Sequence, residues 1–433
     1  MLTKKLQGLG LKKNFSKEIA IIGIGYVGLP LARSFSNYFS VKAFDKDERR
    51  IKELQKGIDS NLDIKPKDLK NKNLSFTYEY DDIKNCNVYI LTLPTPINKK
   101  RLPDITLVEN ATKDLAKILK KKDLIIYEST FYPGTIEDKL IPILEKNSKL
   151  LYNKDFFIGY SPERINPGEK IHTLENVKKI ISSNNKNSLK QVKEMYQKII
   201  KAGVYQASSI KVAELSKILE NTQRFINIAL INEVSSLCNK MNLQTKEVID
   251  VASTKWNFMK FYPGFVGGHC VAVDPLYLSF KQKQIKTSSF LITAADKINQ
   301  NKGFEILDKL NASFKNLKQK KILILGFTFK ENCPDLRNSG TINLMEILCK
   351  KKIKLNIHDP FVKKEELKKE IKKNYNIIKN LKPSNYDCII IAVGHTFYKK
   401  MGINKIKKLS NKKNCLLFDL KSLFKKDKVD FQL

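Results

Sequence analysis

The chain has 433 residues, too many for one ordinary hydrophobic core, so two or three domains are expected. Hydrophobic content of 42% and charged content of 29% are those of a globular chain, and no apolar run approaches the roughly 20 residues that cross a bilayer. The formal net charge of +36 raises the question of nucleic acid, but it is spread along the chain and only seven of the 80 basic residues are arginine, so neither a nucleic-acid nor a membrane partner is expected.

The first fifteen residues, MLTKKLQGLGLKKNF, carry lysines without a sustained apolar stretch or a small-residue cleavage site. That is a poor secretory signal, and the expected location is the cytoplasm. Residues 19–23 (IAIIG) read as a buried parallel strand, and LPLARSFSNYF reads as a helix. Between them lies Gly23-Ile24-Gly25-Tyr26-Val27-Gly28. A second strand at 41–44 ends at Asp45, twenty residues after Gly25. G-x-G-x-x-G between a strand and a helix, with an acid at that distance, is the dinucleotide fingerprint in its proper context. Gly23 serves the turn, Gly25 lets the backbone approach a pyrophosphate at the helix N-terminus, and Gly28 allows close helix–strand packing. Tyr26 and Val27 belong to the same loop. Asp45 is suited to accept ribose hydroxyls and repels a 2′-phosphate, so NAD is expected rather than NADP. Further strands are expected at 88–92 and 124–127, each after a helical stretch. Residues 17–206 thus read as a doubly wound Rossmann domain.

From 210 to 252 the pattern becomes helical, with apolar residues at Ile210, Ala213, Ile218, Phe225, Ala229 and Val234. Lys217, Asn221 and Arg224 share one face of this helix. Taken alone, such a trio reads more readily as a water-facing stripe than as an anion-binding surface. A second helical run covers 290–310, so 207–312 is expected to be a helical middle. Within it, GFVGGHCVAVDPLYL sets Cys270 behind Gly267 and Gly268, with Asp274 four residues later. A structural thiol seldom sits on so mobile a backbone. Strands at 322–325, 355–358, 388–393 and 415–418 make 313–433 a second α/β domain, with no obvious repeat of the first. The seven cysteines are odd in number and contain no C-x-x-C, which argues against a disulfide framework and against a zinc site.

The stretches IAIIGIGYVGLPLA, LPTPIN, YESTFYPG, GYSPERINPGEK, KVAELSKILENTQRFINIALINE, GFVGGHCVAVDP and GFTFKENCPDLRNSG resemble the UDP-glucose/GDP-mannose dehydrogenase family. They run in the same order from about residue 19 to about 340, with weaker similarity to about 423. SPERINPG, GGHC and FTFKENCPDLRN are most similar to the branch that oxidises UDP-N-acetylhexosamines (UDP-GlcNAc or UDP-GalNAc) for surface polysaccharide. UDP-glucose and UDP-ManNAc dehydrogenases are the neighbouring alternatives. The resemblance implies an N-terminal NAD domain, a central helix that builds a homodimer or higher homo-oligomer, and a C-terminal domain for the UDP-sugar.

The implied reaction is a four-electron oxidation of a C6 hydroxyl to a carboxylate, using two NAD and one water. Cys270 would add to the intermediate aldehyde, giving a thiohemiacetal that loses hydride to become a thioester, which water then hydrolyses. By position in the motifs, Lys217 would stabilise the oxyanion and Asn221 would help hold it and the sugar. Asp274 would orient or activate water, Thr130 would contact that water and the cofactor, and Glu163 would be the base for hydrolysis. Arg50, Thr95 and Ser129 match cofactor positions, and Arg337 matches one that reaches NAD from the C-terminal domain. Arg164, Phe261, Gly264 and Gly267 match nucleotide-sugar positions. Lys330 would reach a phosphate, and Lys421 matches a phosphate-binding position more thinly. His269 stands as a substrate contact or a packing residue. Two departures from the pattern are Tyr262, where close relatives often carry a basic residue, and Pro167, where other branches use an acid. A β-hydroxyacid or 6-phosphogluconate-type dehydrogenase would share the sheet and long helix but has no use for a cysteine nucleophile.

Overall fold

Short runs build the first sheet, and the inner ones, such as β1, β4 and β5, are buried along nearly their whole length, as expected of parallel strands covered on both faces. In the computed structural model, which describes residues 17–60, 64–164, 172–362 and 375–433, these runs are β1 (Glu18–Ile22), β2 (Ser40–Phe44), β3 (Leu74–Thr77), β4 (Val88–Leu91), β5 (Leu124–Tyr127), β6 (Phe157–Tyr160), β7 (Lys179–Ser183) and β8 (Val204–Gln206). Pro167 lies outside the described residues. The strand order is β3-β2-β1-β4-β5-β6-β7-β8, parallel throughout except for the antiparallel pair β6–β7. Leu31, Ala32 and Phe35 of the helix Gly28–Phe35 and Val192 and Tyr196 of the helix Lys186–Ile199 join Ile21, Ile90 and Ile126 in one core. The order reverses between β1 and β4, so their carboxyl ends leave the crevice where such sheets bind ligands.

The chain divides into two compact units. One holds the described residues up to Asn98 and from Pro103 to Lys217, and the other holds Lys99–Leu102 and the described residues from Ile218 onward. The helix Ile210–Lys240 starts in the first and continues in the second. The expected helix to 252 is interrupted. Asn242 takes a left-handed conformation (φ 59°), Leu243 N donates back to the Cys238 carbonyl, and a separate helix covers Thr245–Ala252. In the second unit Phe225 and Ala229 pack on Ala295 of the helix Phe290–Ser313.

The second sheet contains β9 (Lys321–Leu325), β10 (Lys354–His358), β11 (Asn376–Ile377), β12 (Cys388–Ile391), β13 (Leu416–Asp419) and β14 (Phe431–Gln432). Its order is β11-β10-β9-β12-β13-β14, all parallel, with its own reversal between β9 and β12. The architecture is therefore α/β with two Rossmann-like sheets. Among the described residues no helix is long and apolar enough to cross a membrane.

Candidate active site

The turn after β1 is built by close approach. A Cβ on Gly28 would stand 2.0 Å from the Gly23 carbonyl oxygen and 2.5 Å from Thr92 Oγ1, so only glycine lets this helix start against the strand ends. Thr92 Oγ1 donates to Gly23 O at 2.7 Å and locks the turn from β4. Gly25 is the opposite case, with no heavy atom within 4 Å of its missing Cβ. That open backbone at a helix N-terminus, followed by half-buried Tyr26 and Val27, fits a pyrophosphate. Asp45, at the end of β2, accepts from Ile24 N at 2.8 Å and from Asp47 N at 3.0 Å, which fixes its carboxylate beside the loop. Arg50 is committed inward. Its guanidinium donates to Asp59 Oδ1 at 2.7 Å and Ser60 Oγ at 3.0 Å, and Nε lies 3.5 Å from the Ile24 carbonyl, so it braces the loop from behind. The loops after β4 and β5 are tied to each other: Thr95 Oγ1 donates to Thr130 O at 2.9 Å and Ser129 Oγ to Leu93 O at 2.6 Å. The cofactor-type residues of this unit thus gather at the carboxyl ends of β1, β2, β4 and β5, and they fit a dinucleotide.

Glu163, three residues beyond β6, is held by a buried ammonium. Lys179 Nζ lies 2.6 Å from Glu163 Oε2 and 2.6 Å from Glu128 Oε2. Arg164 N donates to the other Glu163 oxygen at 2.6 Å, while the Arg164 guanidinium turns to the Lys178 carbonyl at 2.8 Å. Burial pushes the Glu128 carboxyl up to about 7 against the pull of Lys179, and burial likewise opposes the charge on Lys179, which Glu128 and Glu163 together restore and raise. Neither Glu128 nor Lys179 stood out in the sequence, because their partners lie 51 and 16 residues away from Lys179 and form no local pattern.

On the long helix Lys217 is buried, Asn221 half-buried and Arg224 exposed, so the trio does not form a uniformly water-facing stripe. One turn earlier, fully buried Glu214 accepts from Gly134 N at 2.6 Å and Ile136 N at 3.1 Å. This bond pair anchors the start of the helix to the segment that follows Ser129 and Thr130. Burial pushes the Glu214 carboxyl up to about 8.

In the second unit Cys270 is exposed, whereas Cys86, Cys238, Cys333 and Cys388 are buried. Its carbonyl accepts from Val273 N at 3.0 Å and Asp274 N at 2.8 Å, forming the turn that opens the helix Asp274–Gln284. Asp274 is buried, and its Oδ2 accepts from Asn221 Nδ2 at 2.6 Å, so two expected site residues meet one turn from the thiol's own backbone. The preceding loop is gripped at both ends. Asn232 Nδ2 donates to Gly264 O at 3.0 Å and its Oδ1 accepts from Gly264 N at 2.8 Å. At Gly268 (φ 85°) a Cβ would lie 2.8 Å from the Phe329 ring, and at Gly267 one would lie 2.7 Å from the Asn338 carbonyl. Asn338 Nδ2 donates to Gly268 O at 3.2 Å. The GGHC and FTFKENCPDLRNSG motifs are therefore one packed structure. Asp335 joins them: it pairs with His269 Nε2 at 3.2 Å and receives Arg337 Nε at 3.0 Å and Nη2 at 2.8 Å. Burial would raise the Asp335 carboxyl, but His269 and Arg337 hold it well below the usual carboxylate range. Phe261 is half-buried and Tyr262 exposed, with Lys260 Nζ 5.7 Å above its ring. Lys330 Nζ lies 5.5 Å over the Phe329 ring, and Lys421 pairs with Glu331 at 3.0 Å, 3.9 Å from where a Gly264 Cβ would be.

The turn after β9 copies the plan of the first sheet. Gly326 has φ 83°, where Gly23 has 97°, and Asp359, just past β10, accepts from Phe327 N at 2.8 Å. Here, however, His395 covers the acid. Nδ1 of His395 accepts from Asn332 N at 2.9 Å, which leaves Nε2–H to face Asp359 Oδ2 at 3.0 Å, and neither side chain has any exposed surface.

Three family models match the chain in order: the UDP-glucose/GDP-mannose dehydrogenase family NAD binding domain over residues 17–200, its central domain over 211–301 and its UDP binding domain over 323–426. A UDP-N-acetyl-D-glucosamine 6-dehydrogenase of Salmonella typhi is 45% identical over 423 residues, covering 96% of this chain and 98% of that protein. Another of that name from Pseudomonas aeruginosa is 44% identical over 425 residues, covering 96% and 99%. Among solved structures, a UDP-D-ManNAc dehydrogenase from Pyrococcus horikoshii superposes with a TM-score of 0.82 at 28% identity, covering 96% of this chain and 98% of that one. The chain belongs to the UDP-glucose/GDP-mannose dehydrogenase family, and is an NAD-dependent oxidoreductase of UDP-sugars.

Proposed function

We propose that this enzyme oxidises the C6 hydroxyl of a UDP-N-acetylhexosamine, with UDP-N-acetylglucosamine first in rank, to the uronic acid for surface-polysaccharide synthesis. Two relatives near 45% identity over almost the whole chain carry that substrate in their names, and this supports the choice over UDP-ManNAc. The observation that carries the chemistry is exposed Cys270 on a turn that begins a helix with Asp274, itself bonded to Asn221.

NAD, when bound, supplies the hydride acceptor for each oxidation. Gly25, Asp45, Thr95, Ser129 and Thr130 would hold it, with Arg337 and Arg50 in supporting positions. Lys217 and Asn221 stabilise negative charge on the C6 oxygen. The Cys270 thiolate adds to the aldehyde carbon to give a thiohemiacetal, and the second oxidation leaves that carbon tethered to the sulfur as a thioester. Glu163 takes a proton from the hydrolytic water while Asp274 and Thr130 orient it. Arg164, Phe261, Gly264, Gly267 and Lys330 bind the sugar nucleotide. Segments 17–206, 207–312 and 313–433 divide the work between cofactor, central helices and UDP. A homodimer in the cytoplasm is the proposed form.

The test is a panel of UDP-GlcNAc, UDP-GalNAc, UDP-ManNAc and UDP-glucose assayed for NADH, with products identified by mass. About two NADH per sugar and a uronic acid from an N-acetylhexosamine are expected, as the reaction class requires. One NADH with a stable carbonyl product would exclude the mechanism, and preference for UDP-glucose would exclude the substrate.

A further inference from the structure

The cluster behind Glu163 contains more charge than stability alone accounts for. Lys179 opens β7, a strand that continues Ile180-Ile181, and its side chain is 2% exposed. Glu128, from the end of β5, is wholly buried and also accepts from Tyr196 Oη of the helix Lys186–Ile199. Burying an ammonium between two carboxylates is costly, and apolar residues of similar volume are often as stable in such places. The arrangement does fix one thing. One Glu163 oxygen is pinned by Lys179 and the other by Arg164 N, so the carboxylate can neither rotate nor turn away.

We infer that Lys179 is a positioning residue for Glu163, held from behind by Glu128 and Tyr196, and that it orients the carboxylate which removes a proton from the hydrolytic water. This rests on the role proposed above for Glu163. In that step the water oxygen bonds to the thioester carbon and one water proton passes to Glu163. The carbon–sulfur bond then breaks, Cys270 leaves as thiolate, and the product acid loses its remaining proton to solvent. Among the described residues, the titratable and charged groups around Glu163 include Lys179 from β7, Glu128 just past β5, Tyr196 from the flanking helix and Arg164 beside it. Of these Lys179 is a cation in direct contact, so its loss makes Glu163 easier to protonate.

The experiment compares wild type, Glu163→Gln, the double variant Lys179→Met/Glu128→Gln and Tyr196→Phe, using NAD and the UDP-N-acetylhexosamine turned over in the panel. The double variant avoids leaving two facing carboxylates buried without their cation. Readouts are intact-protein mass after rapid quenching, kcat and KM, and the pH profile of kcat. Glu163→Gln should accumulate the acyl-enzyme. The double variant should do the same, with kcat down about 10- to 100-fold, a share of the roughly 10²–10⁴-fold that general-base catalysis contributes. Its KM should stay within about twofold, and the acid limb of its profile should move to higher pH. Tyr196→Phe should change in the same direction by less. If Glu163→Gln accumulates acyl-enzyme while the double variant hydrolyses it at the wild-type rate, the role of Lys179 is overturned and that of Glu163 stands. If Glu163→Gln accumulates nothing, the base assignment falls and the inference with it. If the double variant does not fold, an unchanged kcat and profile in Tyr196→Phe overturns the inference.

Discussion

Gly25→Ala and Gly28→Ala, three residues apart in one turn, are expected to fail in opposite ways. At Gly28 the new methyl would meet the Gly23 carbonyl at 2.0 Å and Thr92 Oγ1 at 2.5 Å. Neither can retreat, since one is backbone and the other donates to Gly23 O and Ile22 O. Relief requires lifting the helix Gly28–Phe35 off the sheet, and that helix buries Leu29, Leu31, Ala32 and Phe35. Overpacking of this kind costs about 1–3 kcal/mol or more. For a unit of this size that is a fall in Tm of roughly 3–10 °C. At Gly25 the methyl meets nothing within 4 Å, and the residue is not among the glycines with positive φ, so stability should not change. The methyl instead occupies the space through which a pyrophosphate must come, and NAD affinity should fall about 10- to 100-fold, or ~1.4–2.8 kcal/mol. Thermal unfolding with and without NAD, together with calorimetric titration of NAD, separates the two. Gly25→Ala should melt with wild type in the absence of NAD and lose the NAD-induced rise. Wild-type NAD affinity in Gly25→Ala, or a wild-type melt in Gly28→Ala, would refute the reasoning.

Cys270→Ser should lose turnover by orders of magnitude while keeping UDP-sugar affinity, because an oxygen ester hydrolyses slowly; turnover near wild type removes Cys270 from the chemistry. Glu214→Ala strands the Gly134 and Ile136 N–H groups, worth about 1–3 kcal/mol each, less the burial cost of the carboxyl it removes, so a net loss of roughly 1–3 kcal/mol is expected in urea unfolding. Because burial raises Glu214 from 4.5 to about 8, the stabilisation it gives is complete below 4.5 and is lost as pH rises through 8, so the variant should show a flatter fall in stability over that window. Leu230 and Leu237, both exposed and seven residues apart on the long helix, should form part of the proposed homodimer contact; Leu230→Glu/Leu237→Glu should halve the mass seen by light scattering, and an unchanged dimer would move the contact elsewhere.

Most strands legible in the sequence are short runs dominated by apolar residues; β2 and β10 are legible despite a polar residue within the run, whereas β6 (FIGY), though apolar, is not. β1, β4, β5, β9 and β12 sit mid-sheet and need hydrocarbon on both faces. β3 (LSFT), β8 (VYQ) and β14 are short, more polar and peripheral, and no run announces them. β7 begins with a buried lysine, which reads as solvent-exposed until Glu128 and Glu163 are brought to it. The same reason hid Asn232, whose grip on Gly264 spans 32 residues, and Asp335, which pairs with His269 across 66. The fingerprint loop is legible because its pattern is local, three glycines with a later acid; the Cys270 turn stands out locally as a cysteine one helical turn before an aspartate, but its role comes from the family resemblance.

The two sheets repeat one plan, but the second covers its acid with a histidine. Asp45 accepts from the backbone N–H groups of Ile24 and Asp47, whereas the Asp359 side chain has no exposed surface and faces His395. If NAD seats at the first sheet alone, as proposed, one protomer holds one coenzyme at a time, although the proposed reaction consumes two. The spent molecule must therefore leave and a fresh one enter midway, while a reactive aldehyde would otherwise be free to escape. On this reading the sulfur link is also a leash, retaining the half-finished sugar during the exchange.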